Sequence, residues 1–248
     1  MHAYSSILLA LAALLALLLI GVAIWVLTPA QPQPQALAAL QPGPELAVDV
    51  DPWIAFQPNR PRSTGFVLYP GARVEPQVYA ATVRAIAEEG YLSVIVPMPL
   101  NLAILAPARG QAAMQAFPQI EHWVIGGHSL GGAMAARFAL SHPERVAGLV
   151  LWASRPARGD DLSQLTIPVT SIYGSDDTLV RPETIAASRA VLPAGTTFVE
   201  IAGGNHSQFG RYPAQLGSGA ASISADDQRA QVVKATLTLL SAVDGGDR

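Results

Sequence analysis

The sequence predicts an α/β fold, with a doubly wound, mostly parallel sheet between two layers of helices and an apolar helix before it. Three observations support this. From about residue 45 onward, short apolar runs alternate with longer helical patterns. Several runs, such as 93–96 and 148–151, are apolar on both faces. This pattern is typical of strands that are covered by helices on each side. A long uncharged run near the N-terminus predicts the extra helix.

Composition limits the number of domains and the classes of partner. The 248 residues, 50 % hydrophobic and 13 % charged, are enough for one α/β domain with a substantial core. The net charge is −3 and the basic residues are scattered, whereas nucleic-acid binding needs clustered positive charge, so no nucleic-acid partner is expected. Cysteine is absent, which excludes disulfides, thiolate metal sites and a cysteine nucleophile, and which fits an exported protein.

Residues 1–27 are predicted to form a membrane anchor. The run from Ile7 to Leu27 is apolar, and as a helix it would be about 30 Å long, matching the hydrocarbon core of a bilayer. A cleaved signal peptide is the alternative, since Ala36 and Ala38 resemble a cleavage site. Its apolar region is normally only about 7–15 residues long and follows a basic start, which is missing here. The short N-terminal tail and the lack of cysteine favour a membrane-anchored protein with an extracytoplasmic catalytic domain.

Residues 28–44 are predicted to be a linker. They are rich in proline and glutamine, a composition that favours extended polyproline conformations over a packed core. The globular domain is therefore predicted to cover residues 45–248.

Strands and helices are predicted to alternate along this domain. The strand candidates are Ala47–Phe56, Gly65–Tyr69, Leu92–Val96, Trp123–Gly126, Ala147–Ala153, Pro168–Tyr173 and Thr197–Ile201. The helix candidates are Gln77–Glu89, Leu102–Ala116, Leu130–Ser141, Pro182–Val191 and Ala225–Ala242. This alternation predicts a doubly wound α/β sheet.

The strongest chemical signal is Gly127-His128-Ser129-Leu130-Gly131, a Gly-X-Ser-X-Gly sequence between an apolar strand and an alanine-rich helix. Small residues on either side allow a sharp turn that presents the serine in a strained conformation. The helix N-terminus beneath the serine favours developing negative charge. A chance match would rarely lie between a buried strand and a helix. We therefore predict that Ser129 is a nucleophile.

A serine nucleophile needs a base, and the base needs a group that orients it. In a strand–turn–helix site of this kind the chain order is serine, acid, histidine. His206 follows the predicted strand that ends at Ile201, whereas the other histidines have structural explanations, so His206 is the candidate base. Asp176 and Asp177 are adjacent in the turn after an earlier strand. Only one can face His206, and the other is expected to bond its own turn.

The oxyanion hole needs two backbone N–H donors. Leu130, directly after the nucleophile, is expected to supply one, and the loop 70–73 the other. Pro70 has no N–H, so the second candidates are Ala72, which we favour, and Gly71.

These residues resemble the α/β-hydrolase superfamily over about residues 65–242. The matching segments are Gly126–Gly132, His142–Val146, Tyr173–Val180 and Gly203–His206. Family members commonly have Gly-X-X-Asp-X-X-Val at the acid turn, and Gly174, Asp177 and Val180 fit that spacing, which implies Asp177 as the acid. Residues 69–72, 98–103 and 203–210 look like the fold-5 group near dienelactone hydrolases.

The sequence also departs from these relatives. The familiar His-Gly before the oxyanion loop is replaced by Tyr69-Pro70-Gly71. Dienelactone hydrolases use cysteine where this chain has serine, so their substrate is not expected here. The stretch between Ala153 and Ile167 is too short for a large lid, which implies a minimal cap and an open site.

The resemblance implies a serine hydrolase that cleaves an ester or related acyl bond of a small molecule, with no metal and no organic cofactor. Two alternatives remain: an acyltransferase with the same triad, and a membrane-tethered binding module on an inactive scaffold. The acyl substrate and the oligomeric state are not fixed by the sequence.

Overall fold

The protein is described from a computed structural model, which covers residues 2–245, with side chains from residue 11 onward. The strands are β1 (Leu46–Asp49), β2 (Ile54–Pro58), β3 (Thr64–Tyr69), β4 (Ser93–Ile95), β5 (His122–His128), β6 (Gly148–Trp152), β7 (Val169–Gly174) and β8 (Thr197–Ile201). They form one 8-stranded sheet in the order β1-β2-β4-β3-β5-β6-β7-β8. The β1–β2 and β2–β4 pairs are antiparallel and all other pairs are parallel. The predicted mostly parallel sheet is confirmed.

The helices are α1 (His2–Leu27), α2 (Pro34–Ala38), α3 (Ala80–Ala87), α4 (Arg109–Gln115), α5 (Leu130–Ser141), α6 (Pro182–Ala187) and α7 (Ala225–Asp244). Of these, α3 and α7 pack on one face of the sheet and α4 and α5 on the other. The predicted helix Leu102–Ala116 is wrong in its first half, because Pro107 interrupts it and only short 3₁₀ turns precede α4. The predicted single strand Ala47–Phe56 is instead the β1–β2 hairpin, since Pro52 cannot donate to a ladder.

Two cores lie on opposite faces of the sheet, and alternation along β3 shows how they arise. Phe66 and Leu68 point into one core, with α3 and α7, whereas Val67 and Tyr69 point into the other, with α4 and α5. All four side chains are fully buried. Because both faces are covered, the carboxyl edge of the sheet and its loops remain for a site.

The N-terminal apolar run forms α1, as a helix was predicted there. The side chains of residues 1–10, part of the predicted anchor, lie outside the described residues. Within the described part of the chain, no helix has the length and apolar character needed to cross a membrane. The predicted transmembrane anchor is therefore not supported by the structure.

Residues 28–44 do not form the extended, unpacked segment expected from their composition. Ala30 forms a parallel bridge with Val74, and the Gln33 N–H donates to the Arg211 carbonyl at 2.8 Å. Ala36 in α2 is fully buried. Proline-rich composition predicts backbone conformation but not the surface against which an extended segment lies, and here the surface is the domain itself.

Candidate active site

Ser129 lies on the tight turn between β5 and α5, as predicted. Its backbone has φ 53° and ψ −122°, an uncommon conformation for a residue with a side chain. Gly127 and Gly131 allow this turn, because a Cβ on Gly127 would overlap the backbone of Gly131, and one on Gly131 would overlap the Tyr69 carbonyl. The turn is therefore held by close backbone packing that only glycine permits.

Two hydrogen bonds from the neighbouring strand fix the backbone of Ser129. Its N–H donates to the Trp152 carbonyl at 3.0 Å, and its carbonyl accepts the Ser154 hydroxyl at 2.6 Å. Ser154 is itself buried, at 2 % exposure. The Ser129 residue is only half-buried, so its hydroxyl group is presented next to solvent on a rigid turn.

Asp177 and His206 form a buried pair at the same edge of the sheet. His206 Nδ1 donates to Asp177 Oδ2 at 2.8 Å, and the two side chains are 3 % and 0 % exposed. The other oxygen, Oδ1, accepts the N–H groups of Leu179 at 2.9 Å and Val180 at 2.8 Å. These three hydrogen bonds orient the carboxylate, and they leave His206 Nε2 as the ring nitrogen available to act as a base.

Asp176 has a different role from its neighbour. Its Oδ1 accepts the Ser175 hydroxyl at 3.0 Å and its Oδ2 accepts the Ser222 hydroxyl at 3.1 Å. The structure therefore pairs Asp177, not Asp176, with His206, and Asp176 holds the turn together through its own hydrogen bonds.

The structure brings His206 against the residue before Ser129, and no hydrogen bond joins the described side chains of Ser129 and His206. The ring of His206 packs at 4.5 Å, centroid to centroid, on the ring of His128, the residue immediately before Ser129. Between the described side chains of Ser129 and His206 no hydrogen bond is formed, whereas the Asp177–His206 bond is. Such nucleophile–base contacts are often long in ligand-free enzymes and shorten when substrate binds.

The hydrogen bonds of the candidate oxyanion donors show which of their N–H groups is free. Leu130 is the first residue of α5, where N–H groups have no helical partner, and the N–H of Ala72 makes no hydrogen bond within the described residues. The Gly71 N–H, in contrast, donates to the Tyr79 hydroxyl at 3.0 Å. The Gly71 N–H is therefore already hydrogen-bonded, and Ala72 stays the predicted second donor.

The loop before His206 is held by α7. Gln228 is completely buried and bonds both backbone groups of Asn205: its Nε2 donates to the carbonyl at 2.8 Å and its Oε1 accepts the N–H at 2.9 Å. The Asn205 side chain donates to the Gly219 carbonyl at 2.7 Å and accepts the Gln208 N–H at 3.0 Å. The position of the base thus depends on a helix that begins after it in the chain.

A cleft of about 390 Å³ opens beside Ser129. Its walls include the apolar side chains of Ile104, Met134 and Val180 and, from α5, Arg137. Arg137 is paired with Asp160, with Nε to Oδ2 at 3.0 Å. Among the described residues, no group of three or more histidine, cysteine, aspartate or glutamate side chains is arranged to hold a metal ion.

Sequence reasoning missed four residues that support the site: Tyr79, His128, Ser154 and Gln228. The ring of His128, the residue before the nucleophile, contacts His206. A polar residue inside an otherwise apolar segment is the one signal that could have found Tyr79.

Comparisons with known proteins identify the family and the fold. Residues 65–230 match the model of a family described as "Alpha/beta hydrolase family". No curated protein matches the sequence.

Two solved structures are similar in fold. A dienelactone hydrolase from Anabaena variabilis has 16 % identity and a TM-score of 0.57, covering 77 % of this chain and 94 % of its own. An alpha-beta serine hydrolase homologue from Coxiella burnetii has 17 % identity and a TM-score of 0.57, covering 77 % and 97 %.

Proposed function

This chain belongs to the alpha/beta hydrolase family, and on that premise we propose that it is a serine hydrolase that cleaves an ester or related acyl bond. Ser129 is the nucleophile, His206 the general base and acid, and Asp177 the group that orients His206. The backbone N–H groups of Leu130 and Ala72 stabilise the oxyanion.

The observation that most supports this proposal is the buried Asp177–His206 hydrogen bond beside a strained serine turn. The Asp177 carboxylate accepts three hydrogen bonds, one of them from His206, and its side chain is 0 % exposed. A histidine without a catalytic role does not require such a partner. Burying a carboxylate is costly unless it is fully paired. The arrangement has the geometry required to fix one imidazole tautomer and to stabilise the imidazolium that forms during reaction.

The reaction proceeds in two halves. Ser129 Oγ attacks the carbonyl carbon of the substrate while His206 Nε2 takes the hydroxyl proton. The tetrahedral oxyanion then collapses, the alcohol leaves with the proton from His206, and an acyl group remains on Ser129. In the second half His206 takes a proton from water, the resulting hydroxide attacks the acyl-serine, and Ser129 Oγ recovers the proton from His206 as the acid departs.

The surroundings of Ser129 support a small ester as the substrate. The cleft is open and mostly apolar near Ser129, which suits the acyl part of a small ester. Only residues 153–168 separate β6 from β7, and this segment is too short to form a large cap over the serine.

A fluorophosphonate probe tests the proposal, because it labels a serine only when the nucleophile is activated. We expect wild-type protein to be labelled, Ser129→Ala to lose labelling, and ester hydrolysis to fall by about 10³-fold or more in that variant. Ser241→Ala, which changes an exposed serine on α7, is the matched control and should keep both properties.

Two results would overturn the proposal. Folded wild-type protein that is not labelled would favour a binding module on an inactive scaffold. Labelling that persists in Ser129→Ala would place the nucleophile elsewhere. An added alcohol that diverts the acyl group from water would identify the acyltransferase alternative.

A further inference from the structure

The hydroxyl of Tyr79 connects the candidate oxyanion loop to the residue before the nucleophile. It accepts the Gly71 N–H at 3.0 Å and lies 2.8 Å from His128 Nδ1. Both Tyr79 and His128 are buried, at 0 % and 1 % exposure. A Cβ on Gly71 would collide with these same two side chains, so the loop lies directly against the pair.

The direction of these hydrogen bonds follows from the hydrogens available. The Gly71 N–H donates to the Tyr79 oxygen, and among the described residues His128 Nδ1 is the acceptor within reach of the hydroxyl's own hydrogen, so the hydroxyl donates to His128 Nδ1. His128 is then neutral, with its hydrogen on Nε2. Burial, and next the nearby His206, lower the pKa of His128 well below its ordinary value of 6.5, against a smaller opposite effect of the His206 backbone. Burial likewise raises the pKa of Tyr79, which keeps its hydrogen.

His128 also contacts the loop that contains the base. Its ring stacks on Phe209 at 5.5 Å with an interplanar angle of 17°, and it packs against the His206 ring at 4.5 Å with a tilt of 43°. The His128 imidazole thus contacts both Tyr79, which binds Gly71, and His206, the base. His128 also directly precedes the nucleophile Ser129 in the chain.

We propose that Tyr79 and His128 are positioning residues for the oxyanion hole: Tyr79 binds the Gly71 N–H and His128 binds Tyr79, and together they hold the loop in the turn that leaves the Ala72 N–H free for the oxyanion. The inference rests on the proposed serine hydrolase function. Neither side chain touches substrate, and their effect is on the geometry of the donors. Since oxyanion donors act chiefly in the transition state, loss of the pair should lower kcat more than it changes KM.

Tyr69 provides a matched comparison within the same molecule. It is also fully buried, and its hydroxyl also bridges two polar groups: it accepts the Gly110 N–H at 2.8 Å and donates to the Pro107 carbonyl at 2.7 Å. The bonds of Tyr69 tie α4 to the sheet, not the oxyanion loop. Tyr69→Phe therefore removes an equivalent structural hydroxyl without touching the donors.

The experiment compares Tyr79→Phe with Tyr69→Phe on a neutral aryl ester such as p-nitrophenyl butyrate. We expect Tyr79→Phe to lower kcat about 10- to 100-fold, with KM within about threefold. Binding of phenylboronic acid, whose tetrahedral adduct mimics the oxyanion, should weaken about tenfold. Tyr69→Phe should lose comparable thermal stability while kcat and boronate affinity stay within about threefold.

Equal kcat values in the two tyrosine variants would overturn the inference, as would a rise in KM at unchanged kcat. If Tyr79→Phe does not fold, His128→Gln decides, and its kcat should fall about tenfold against the same control. The proposed function fails separately: wild-type protein would then neither hydrolyse esters nor react with a fluorophosphonate.

Discussion

The nucleophile turn, residues 126–132, and the base loop, residues 203–209, meet at the same site but are held by different kinds of contact. The turn depends on its own glycines, which let two backbone segments approach closely, and is further held by hydrogen bonds with Trp152 and Ser154. The base loop is fixed by side chains from elsewhere, with Gln228 on one side and Asp177 on the other. A local motif can therefore identify a nucleophile in the sequence, whereas a base is recognised only through partners distributed along the chain.

The largest expected effect concerns the base loop, whose contacts are distributed along the chain. Asp177→Asn keeps the shape of the residue but removes the negative charge and favours the wrong tautomer of His206, so kcat should fall about 10³- to 10⁴-fold. Asp176→Asn is the matched control, since that carboxylate bonds Ser175 and Ser222 and not His206. Steady-state kinetics on one ester checks both variants. Similar losses in the two would mean that the base is not oriented by Asp177.

The next effect concerns the nucleophile turn, whose glycines are close together in the sequence. In Gly131→Ala the new methyl group would overlap the carbonyls of Tyr69 and Pro70, so the turn must shift. We expect kcat to fall about 10²-fold and the free energy of unfolding to fall by about 1–3 kcal/mol, although alanine is the better helix former. Gly195→Ala, where a Cβ meets open space, should change neither. Urea unfolding and kinetics together measure this, and an unchanged kcat would show that the close packing is not needed.

This difference between local and distributed contacts explains which features of the site could be predicted from the sequence and which could not. The turn at Ser129 was correctly located because its determinants are contiguous. The choice of Asp177 over Asp176 came only from family spacing, since two adjacent carboxylates look alike until the fold selects one. Gln228 was missed because its partner Asn205 lies 23 residues away and nothing in a helical pattern marks an inward-facing glutamine. Residues 28–44 were misjudged because composition does not reveal the surface that buries Ala36.

A smaller effect tests how much the base loop depends on α7. Gln228→Leu leaves the N–H and carbonyl of Asn205 buried and unpaired, which should lower the free energy of unfolding by about 1–3 kcal/mol. We expect kcat to fall about tenfold as His206 moves. Gln231→Leu, on the exposed face of the same helix, should leave both values nearly unchanged. A loss of stability without any loss of kcat would separate the packing of α7 from the position of the base.

The smallest effect concerns His128, which lies between the two regions. Because burial holds its folded pKa below the ordinary 6.5, the unfolded chain binds a proton below about pH 6.5 that the folded protein does not. The unfolded state then holds more protons, so stability falls as pH decreases through that range, by at most about 1.4 kcal/mol per pH unit from this group. His128→Gln lacks the group, and the free energy that the substitution costs at pH 7.5 should therefore shrink toward pH 5.5. Urea unfolding of both proteins at several pH values measures the difference, in which the histidines that do not contact His128 cancel. A cost independent of pH would mean that His128 accepts a proton in the folded state, and its Nδ1 could not then accept the Tyr79 hydroxyl.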